Sequence, residues 1–540
     1  MPASNRAAHP AALRVAVLAD SDTRWKWGAL TARRLSPEPD SVHLTGYLLR
    51  GRATPTARQL GEVGVRADRL TEVTCAGFLA ELAAPEREPR DRYDVVVLAL
   101  VGGAVQAVLH GARALWPEPA ARPAFVTGYV GVVYEKLADG LLLRHGADLV
   151  LANSRHDARR FRAVYEGVGA DAGAVVETAL PFLAPADADG YEPVGSTAHR
   201  VVFAVQPSVP DARADRTYLL RRAAEHARLH PGREVLIKLR SRPGEHTTHL
   251  EELPYQRLAE QLPGGLPSNC RLVYGNMGEV LDTTDLLVTV SSTAALESLH
   301  RGIPTAVLTD LGVRETLGNH HFLGSGCLAS WTQLDAGLLP KADPDWLAAQ
   351  GVGAPAGSVT PAASVTPAGP VTPAGPVTPA GPVGPAVPDA SAALAAPAAS
   401  ALAAPDASAA LAASAAPAAS AAPAAPAAPA APAPRPAADS GGHDPYTAAR
   451  ARLAELLDGA PLPPVAPYYT QETAPGYLPG ILARHHLGPD GHPLPGAART
   501  GAEGSRLRRR LRAHLREAAR GAYRHGVQRV APVIRRLGEL

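Results

Sequence analysis

The chain is 540 residues long, with 53 Lys and Arg against 51 Asp and Glu and a formal net charge of +2, enough for two or three domains. Hydrophobic residues make up 46% of it but aromatics only 5%, so a core has to be built from Val, Leu and Ala. Cys75, Cys270 and Cys327 stand far apart with no CxxC pair, which argues against a disulfide framework or a structural zinc and fits a reducing cytoplasm.

Residues 1–12 carry no structural pattern and are expected to be disordered. The apolar run that follows is broken by Asp20 and Asp22, so it does not read as a signal peptide. Outside an Ala/Pro-rich region, no stretch offers the roughly 18 uncharged apolar residues of a membrane span. Over 13–183, short Val/Leu-rich runs alternate with helical patterns. RVAVLAD (14–20), YDVVVLAL (93–100), PAFVTG (123–128) and ADLVLAN (147–153) are uncharged inside, as parallel strands covered on both faces should be. The segments 27–35, 104–116, 132–145 and 154–165 read as helices between them.

After a Pro/Asp/Gly-rich break at 184–198 the pattern restarts over 199–349. HRVVFAVQP (199–207), REVLIKLR (233–240), RLVYG (271–275), DLLVTVS (285–291) and TAVLT (305–309) read as strands. Helices are expected at 218–229, 253–262 and 294–300. Two such units predict an α/β protein of two Rossmann-like, doubly wound domains with a cleft between them. Residues 350–443, with VTPAGPVTPAGPVTPAGP at 365–382, hold almost no charge (Asp389, Asp406, Arg435 and Asp439) and no Phe, Trp or Tyr, and read as a disordered Ala/Pro linker. The segment 444–500 reads as partly helical, and 501–540 as a basic amphipathic helix. From Arg506 onward eleven arginines face two glutamates, leaving the rest of the chain net acidic.

The stretch DLLVTVSSTAALESLHRGIPTAVLTD (285–310) carries the most chemistry. A buried strand ends in Ser291, Ser292 and Thr293, a helix holding Glu297 follows, and a Gly-Ile-Pro turn leads to the next strand. Hydroxyls and backbone N–H groups at a strand-to-helix turn suit a phosphate, and Glu297 suits ribose hydroxyls. The plainer reading is an N-cap. The first strand ends in ADSDTRWKWG (19–28), which puts Asp20 and Asp22 at the sheet edge. Each either faces the cleft or simply caps the next helix. Trp25 and Trp27 suit either a sugar face or the core.

The 285–310 element resembles the nucleotide-binding segment of GT-B-fold glycosyltransferases. It is most similar to the group holding bacterial sialyl- and polysialyltransferases, Kdo transferases and CDP-glycerol glycerophosphotransferases. More widely, 13–345 resembles an actinobacterial family of glycosyltransferase-like proteins whose opening reads here as RVAVLADSDTRWKWGALTARRL. The resemblance implies transfer of a sugar from a nucleotide-sugar donor, CMP-linked by preference, to a cell-wall or surface glycan or a lipid-linked acceptor. It implies no cofactor and no catalytic metal, and it makes a carboxylate at the edge of the first sheet the general base for the acceptor hydroxyl, with Asp22 the first choice and Asp20 the second.

In the sialyltransferase group a strand ending in Lys-x-His-Pro adds phosphate and base contacts. The matching place here is LIKLRSRPGEHTTH (236–249), with Lys238, Arg240, Arg242 and His246 but no His-Pro pair. Arginine still suits a phosphate, although the plain alternative is a solvated strand end. Further donor-side candidates are Arg314, Asn319 and His320 in RETLGNHHFLGSG (314–326). Gly128 and Tyr129 in TGYVGVVYEK (127–136) join Trp25 on the acceptor side. The missing His-Pro pair keeps a non-catalytic scaffold open as an alternative, and a nucleotide-sugar epimerase shares the fold. The basic tail suggests an anionic membrane surface on the cytoplasmic face, with nucleic acid the rival partner.

Overall fold

The computed structural model describes residues 12–84, 92–132, 137–183, 199–242, 245, 253–353, 444–458 and 461–495. The break at 184–198, the Ala/Pro-rich 354–443, the basic segment 501–540 and His246 lie outside the described residues, as does residue 1–11 of the N-terminus. Among the described residues no helix is long and apolar enough to cross a membrane.

The first lobe is built on seven strands: β1 (Arg14–Ala19), β2 (His43–Leu49), β3 (Arg69–Val73), β4 (Val95–Ala99), β5 (Ala124–Gly128), β6 (Leu149–Ala152) and β7 (Val175–Glu177). All pair in parallel, in the order β3-β2-β1-β4-β5-β6-β7. The second lobe has β8 (Arg200–Ala204), β9 (Glu234–Lys238), β10 (Cys270–Val273), β11 (Leu286–Thr289), β12 (Thr305–Leu308) and β13 (Leu328–Ala329), again all parallel, in the order β10-β9-β8-β11-β12-β13. Both are Rossmann-like: strand order runs outward from the first strand in one direction, then resumes on its other side. The apolar runs are explained by burial on both faces. Val15 to Ala19, Val95 to Leu98 and Val201 to Phe203 are essentially inaccessible.

The two lobes repeat one device at the bottom of their central strand pair. Asp94 accepts a hydrogen bond from the Arg14 N–H at 2.8 Å, and Asp285 accepts one from the Arg200 N–H at 2.8 Å. The lobes also share apolar packing. Leu296, Leu299 and Phe322 of the second lobe lie in one buried cluster with Trp27 and Leu180 of the first.

Residues 444–495, expected as a separate segment, are part of the first lobe. The helix Thr447–Leu457 buries Ala449 and Leu453 in the first-lobe core, and the Tyr446 hydroxyl donates to the Ala179 carbonyl at 3.1 Å. Leu462 exchanges two backbone hydrogen bonds with Ala120, and Arg122 donates to the Pro463 carbonyl. The helix Leu478–Arg484 buries Leu478, Ile481 and Leu482 in the first-lobe core.

The point of departure is nearby. Gly351 lies so close to the Asn153 carbonyl that a Cβ there would sit 2.9 Å from it, and Val352 is buried in the cluster that holds Tyr446. The chain therefore leaves the first lobe beside the C-terminal ends of β6 and β7 and re-enters it there. The Ala/Pro-rich segment is an insertion in one lobe, where a linker between separate units was expected.

Candidate active site

A cavity of about 420 Å³ lies between the lobes, at the C-terminal edges of both sheets, within the size range of small-molecule sites. The first lobe supplies the turn after β1 and its helix Asp22–Arg34, the helix Ala57–Val63, and the loop after β5. The second supplies the ends of β8, β9 and β11. Doubly wound sheets bind ligands at such a place, where strand order reverses.

In each lobe a side chain bridges that reversal. Asp20 accepts from the Val101 N–H at 2.9 Å and from Arg24 Nη1 at 2.9 Å, tying the end of β1 to that of β4. Gln206 Oε1 accepts from the Ser291 N–H at 3.0 Å, tying β8 to β11. Asp20 is thus occupied as a cross-link. The capping reading of the aspartates gives way to Ser21, whose hydroxyl accepts from the Arg24 N–H and starts the helix five residues earlier than its apolar pattern suggests.

Asp22 faces the second lobe. Arg240 donates to its Oδ1 at 2.6 Å and also to the Thr23 hydroxyl. Burial pushes the Asp22 carboxyl up, but the charge and hydrogen bond of Arg240, with help from Thr23, outweigh this and hold it below the usual carboxylate range. Lys238, two residues before Arg240 and so on the same side of the strand, is buried in the cavity wall. Its Nζ donates to the Leu239 carbonyl at 2.8 Å, and burial lowers the amine to about 8.

Ser291, Ser292 and Thr293 all line the cavity, with their hydroxyls in different roles. Ser291 Oγ donates to the Leu317 carbonyl at 2.6 Å, and Ser292 Oγ accepts from the Ala294 N–H at 3.2 Å within the turn. Thr293 packs on Gly131 across the cleft, where a Cβ would lie 2.3 Å from its Oγ1. The helix that follows, Ala294–His300, has only seven residues. Fixed positive charge near this turn therefore comes chiefly from Lys238 and Arg240. Glu297 lines the same cavity and pairs with Lys26 of the first lobe at 3.5 Å.

Several expected site residues lie elsewhere. Trp25 is fully buried and donates from Nε1 to the Val65 carbonyl, and Trp27 is buried as well, so both are core. Gly128 is a packing glycine: a Cβ would lie 2.7 Å from the Leu151 carbonyl and 2.9 Å from the Trp27 ring. Asn319 is buried and staples its own loop, accepting from the Arg314 N–H and donating to the Leu308 and Gly312 carbonyls. Arg314 is exposed, His320 is half-buried, and neither is on the cavity. Arg242 is exposed beside the cavity, its guanidinium 5.4 Å from the Tyr274 ring centre. Tyr129 does line the cavity, with the buried Arg144 guanidinium 4.1 Å from its ring centre.

Sequence reasoning missed the interlobe fasteners. Arg58 donates to Glu245 at 2.6 Å from Nε, and Asn276 Nδ2 donates to the Glu62 carbonyl at 2.7 Å. The i,i+4 spacing of Arg58 and Glu62, which also pair, was the available signal. Arg216 was hidden too. Its buried guanidinium donates to the carbonyls of Gln206, Pro207 and Pro210, shaping the cavity loop after β8.

Two Rossmann-like lobes facing each other across a charged cleft at their switch points define a GT-B-type protein. The chain belongs to the family described as "Putative glycosyltransferase (DUF6716)", which matches residues 15–366, and so to a family of glycosyl-transferring enzymes. Among solved structures it is similar to S. aureus MnaA with UDP, at 10% identity over 64% of this chain and 92% of that one, with a TM-score of 0.42. It is similar to the UDP-GlcNAc 2-epimerase from Neisseria meningitidis bound to UDP-GlcNAc, at 9% identity over 60% and 90%, with a TM-score of 0.40. It is also similar to the glycotransferase of kitacinnamycin, at 15% identity over 60% and 88%, with a TM-score of 0.36. No curated protein matches the chain.

Proposed function

We propose that the cleft binds a nucleotide-sugar donor with its phosphates against Lys238 and Arg240, and that Asp22 takes the proton from an acceptor hydroxyl. The observation that carries this is the placement of two cations of the second lobe at the end of β9, directly opposite a carboxylate of the first lobe, within one cavity. Arginine and lysine neutralise a phosphate leaving group. In the transfer, the acceptor oxygen loses its proton to Asp22 and bonds to the anomeric carbon. The bond from that carbon to the phosphate oxygen breaks, and the nucleotide departs with the electron pair. Glu297 and the backbone of the 291–293 turn face the same space and suit ribose and phosphate contacts.

The resemblance to sialyltransferase-like proteins favours a CMP donor, whereas Lys238 and Arg240 support a phosphate-bearing donor of any base. Thermal melting of the full chain with CMP-, CDP-, UDP- and GDP-sugars tests the reading, since a ligand that binds the folded state raises its melting temperature. Stabilisation by at least one of them is expected. A flat response across the panel at millimolar concentration contradicts it.

A further inference from the structure

We infer that Asp22 and the donor phosphate compete for Arg240, so that the catalytic carboxylate is masked until a donor binds. The inference rests on the donor site proposed above and adds an order to it. Arg240 is the only second-lobe cation among the described residues that bonds Asp22. It reaches from the end of β9 to the first residue of the helix Asp22–Arg34 and fastens both Asp22 and Thr23.

A carboxylate engaged by a guanidinium has one oxygen filled and little affinity for a further proton, so it is a poor base for a hydroxyl in this state. Lys238 stands beside Arg240, and among the described residues its ammonium donates to the Leu239 carbonyl. A phosphate drawn to the two cations enters next to Asp22. The two anions repel at that range, and the guanidinium fork suits a phosphate in two-point contact better than it suits a shared carboxylate. Phosphate entry therefore releases Asp22, which becomes available to the acceptor hydroxyl. An empty cleft holds its base in reserve, and acceptor chemistry waits for the donor.

The competition has a direct test in calorimetric titration of the full chain with inorganic pyrophosphate. Asp22→Asn removes the competing charge and keeps the shape, and should bind pyrophosphate roughly tenfold more tightly than the native chain, in line with ordinary coupling between sites. Arg240→Gln should bind more weakly than the native chain. The double variant should gain much less over Arg240→Gln than Asp22→Asn gains over the native chain, because beyond relief of direct repulsion the gain is routed through Arg240. Asp22→Ser serves as the second removal of charge should Asp22→Asn fail to fold, with the same gain expected.

Equal or weaker binding by the Asp22 variants overturns the competition while leaving the donor site standing. A gain that is undiminished in the double variant overturns it too. Failure of pyrophosphate to bind any of these proteins overturns the competition and the donor site together.

Discussion

Gln206 and Ser291, 85 residues apart, are joined across the strand reversal of the second lobe by a 3.0 Å hydrogen bond from the Ser291 N–H to the Gln206 side-chain carbonyl. The bond fixes the turn at 291–293 relative to the end of β8, and Arg216 in turn fixes the loop that carries Gln206. Gln206→Ala leaves the Ser291 N–H without this acceptor and should cost about 1–2 kcal/mol of stability. Donor affinity should fall with it, because the 291–293 turn loses its position. Urea unfolding read beside nucleotide-sugar titration checks both, and a variant with native stability and native affinity contradicts this role.

Asp20 and Asp22 are predicted to separate cleanly. Asp20 holds the Val101 N–H and Arg24 and faces structure, so Asp20→Ala should lower stability by about 1–3 kcal/mol. Asp22→Asn should retain the fold yet lose transfer by at least about a hundredfold, the usual scale for a general base. Transfer assays with a donor identified by melting, alongside unfolding curves, distinguish the two residues. Full activity in Asp22→Asn removes it as the base.

Burial lowers Lys238 to about 8, against roughly 10.4 for a free lysine. The unfolded chain then holds this proton more tightly than the folded one, so the native state is penalised below about pH 8 and gains stability as pH rises from there towards roughly 10.4. Lys238→Met should be more stable than the native chain at pH 7, by an amount on the order of 2–3 kcal/mol. The difference should shrink as pH rises through that window. Unfolding curves of both proteins at pH 7, 8, 9 and 10 measure it, and a constant difference across the series contradicts the assignment.

Because the 354–443 segment leaves and re-enters beside β6 and β7, replacing it with a bridge of about ten Gly and Ser residues should preserve the fold. Closing a loop of about ninety residues costs roughly 2 kcal/mol more than closing one of ten, so the excised protein should melt at the same temperature or higher. Ending the chain at 353 should instead unfold it. That change strips Tyr446, Ala449, Leu453, Leu478, Ile481 and Leu482 from the core, and burial of each such side chain is worth about 1.5–3 kcal/mol for the larger ones. Melting curves of the two deletions decide the matter.

These particulars show what could be read from residues alone. β1, β4, β5, β6, β8 and β9 announced themselves because a strand buried on both faces has no polar positions. β3 (RLTEV) sits at the sheet edge with Arg69, Leu70 and Glu72 exposed, so it carries no apolar run. β2 holds Gly46, which a short helical or turn segment would hold equally well; the glycine is there because the Trp25 ring lies against it. The helix Arg155–Gly167 was legible through its Ser154 cap, while 132–145 gave way to the single turn-and-a-half Leu137–Leu142 over its described part.

Asp22, Lys238, Arg240, Ser291 to Thr293, Glu297 and Tyr129 line one cavity; most were legible because polar residues at or just after the ends of buried strands gather at the strand reversal, and Lys238 and Arg240 through the family resemblance. Trp25, Gly128 and Asn319 misled because an aromatic, a glycine or an amide near such an end serves packing just as readily. The interlobe bonds of Arg58, Lys26 and Asn276 depend on which lobe surfaces face each other, which no local pattern records.

The proposed function stands on Lys238 and Arg240 holding a donor phosphate in the cleft. Its most direct measurement is calorimetric binding of the best-stabilising nucleotide sugar to the native chain and to the Lys238→Met, Arg240→Gln double variant. The native chain should bind measurably and the double variant at least about a hundredfold more weakly, as expected when two charge-assisted contacts are removed. Equal affinity in the two proteins, with the variant shown to be folded by its melting curve, would contradict it.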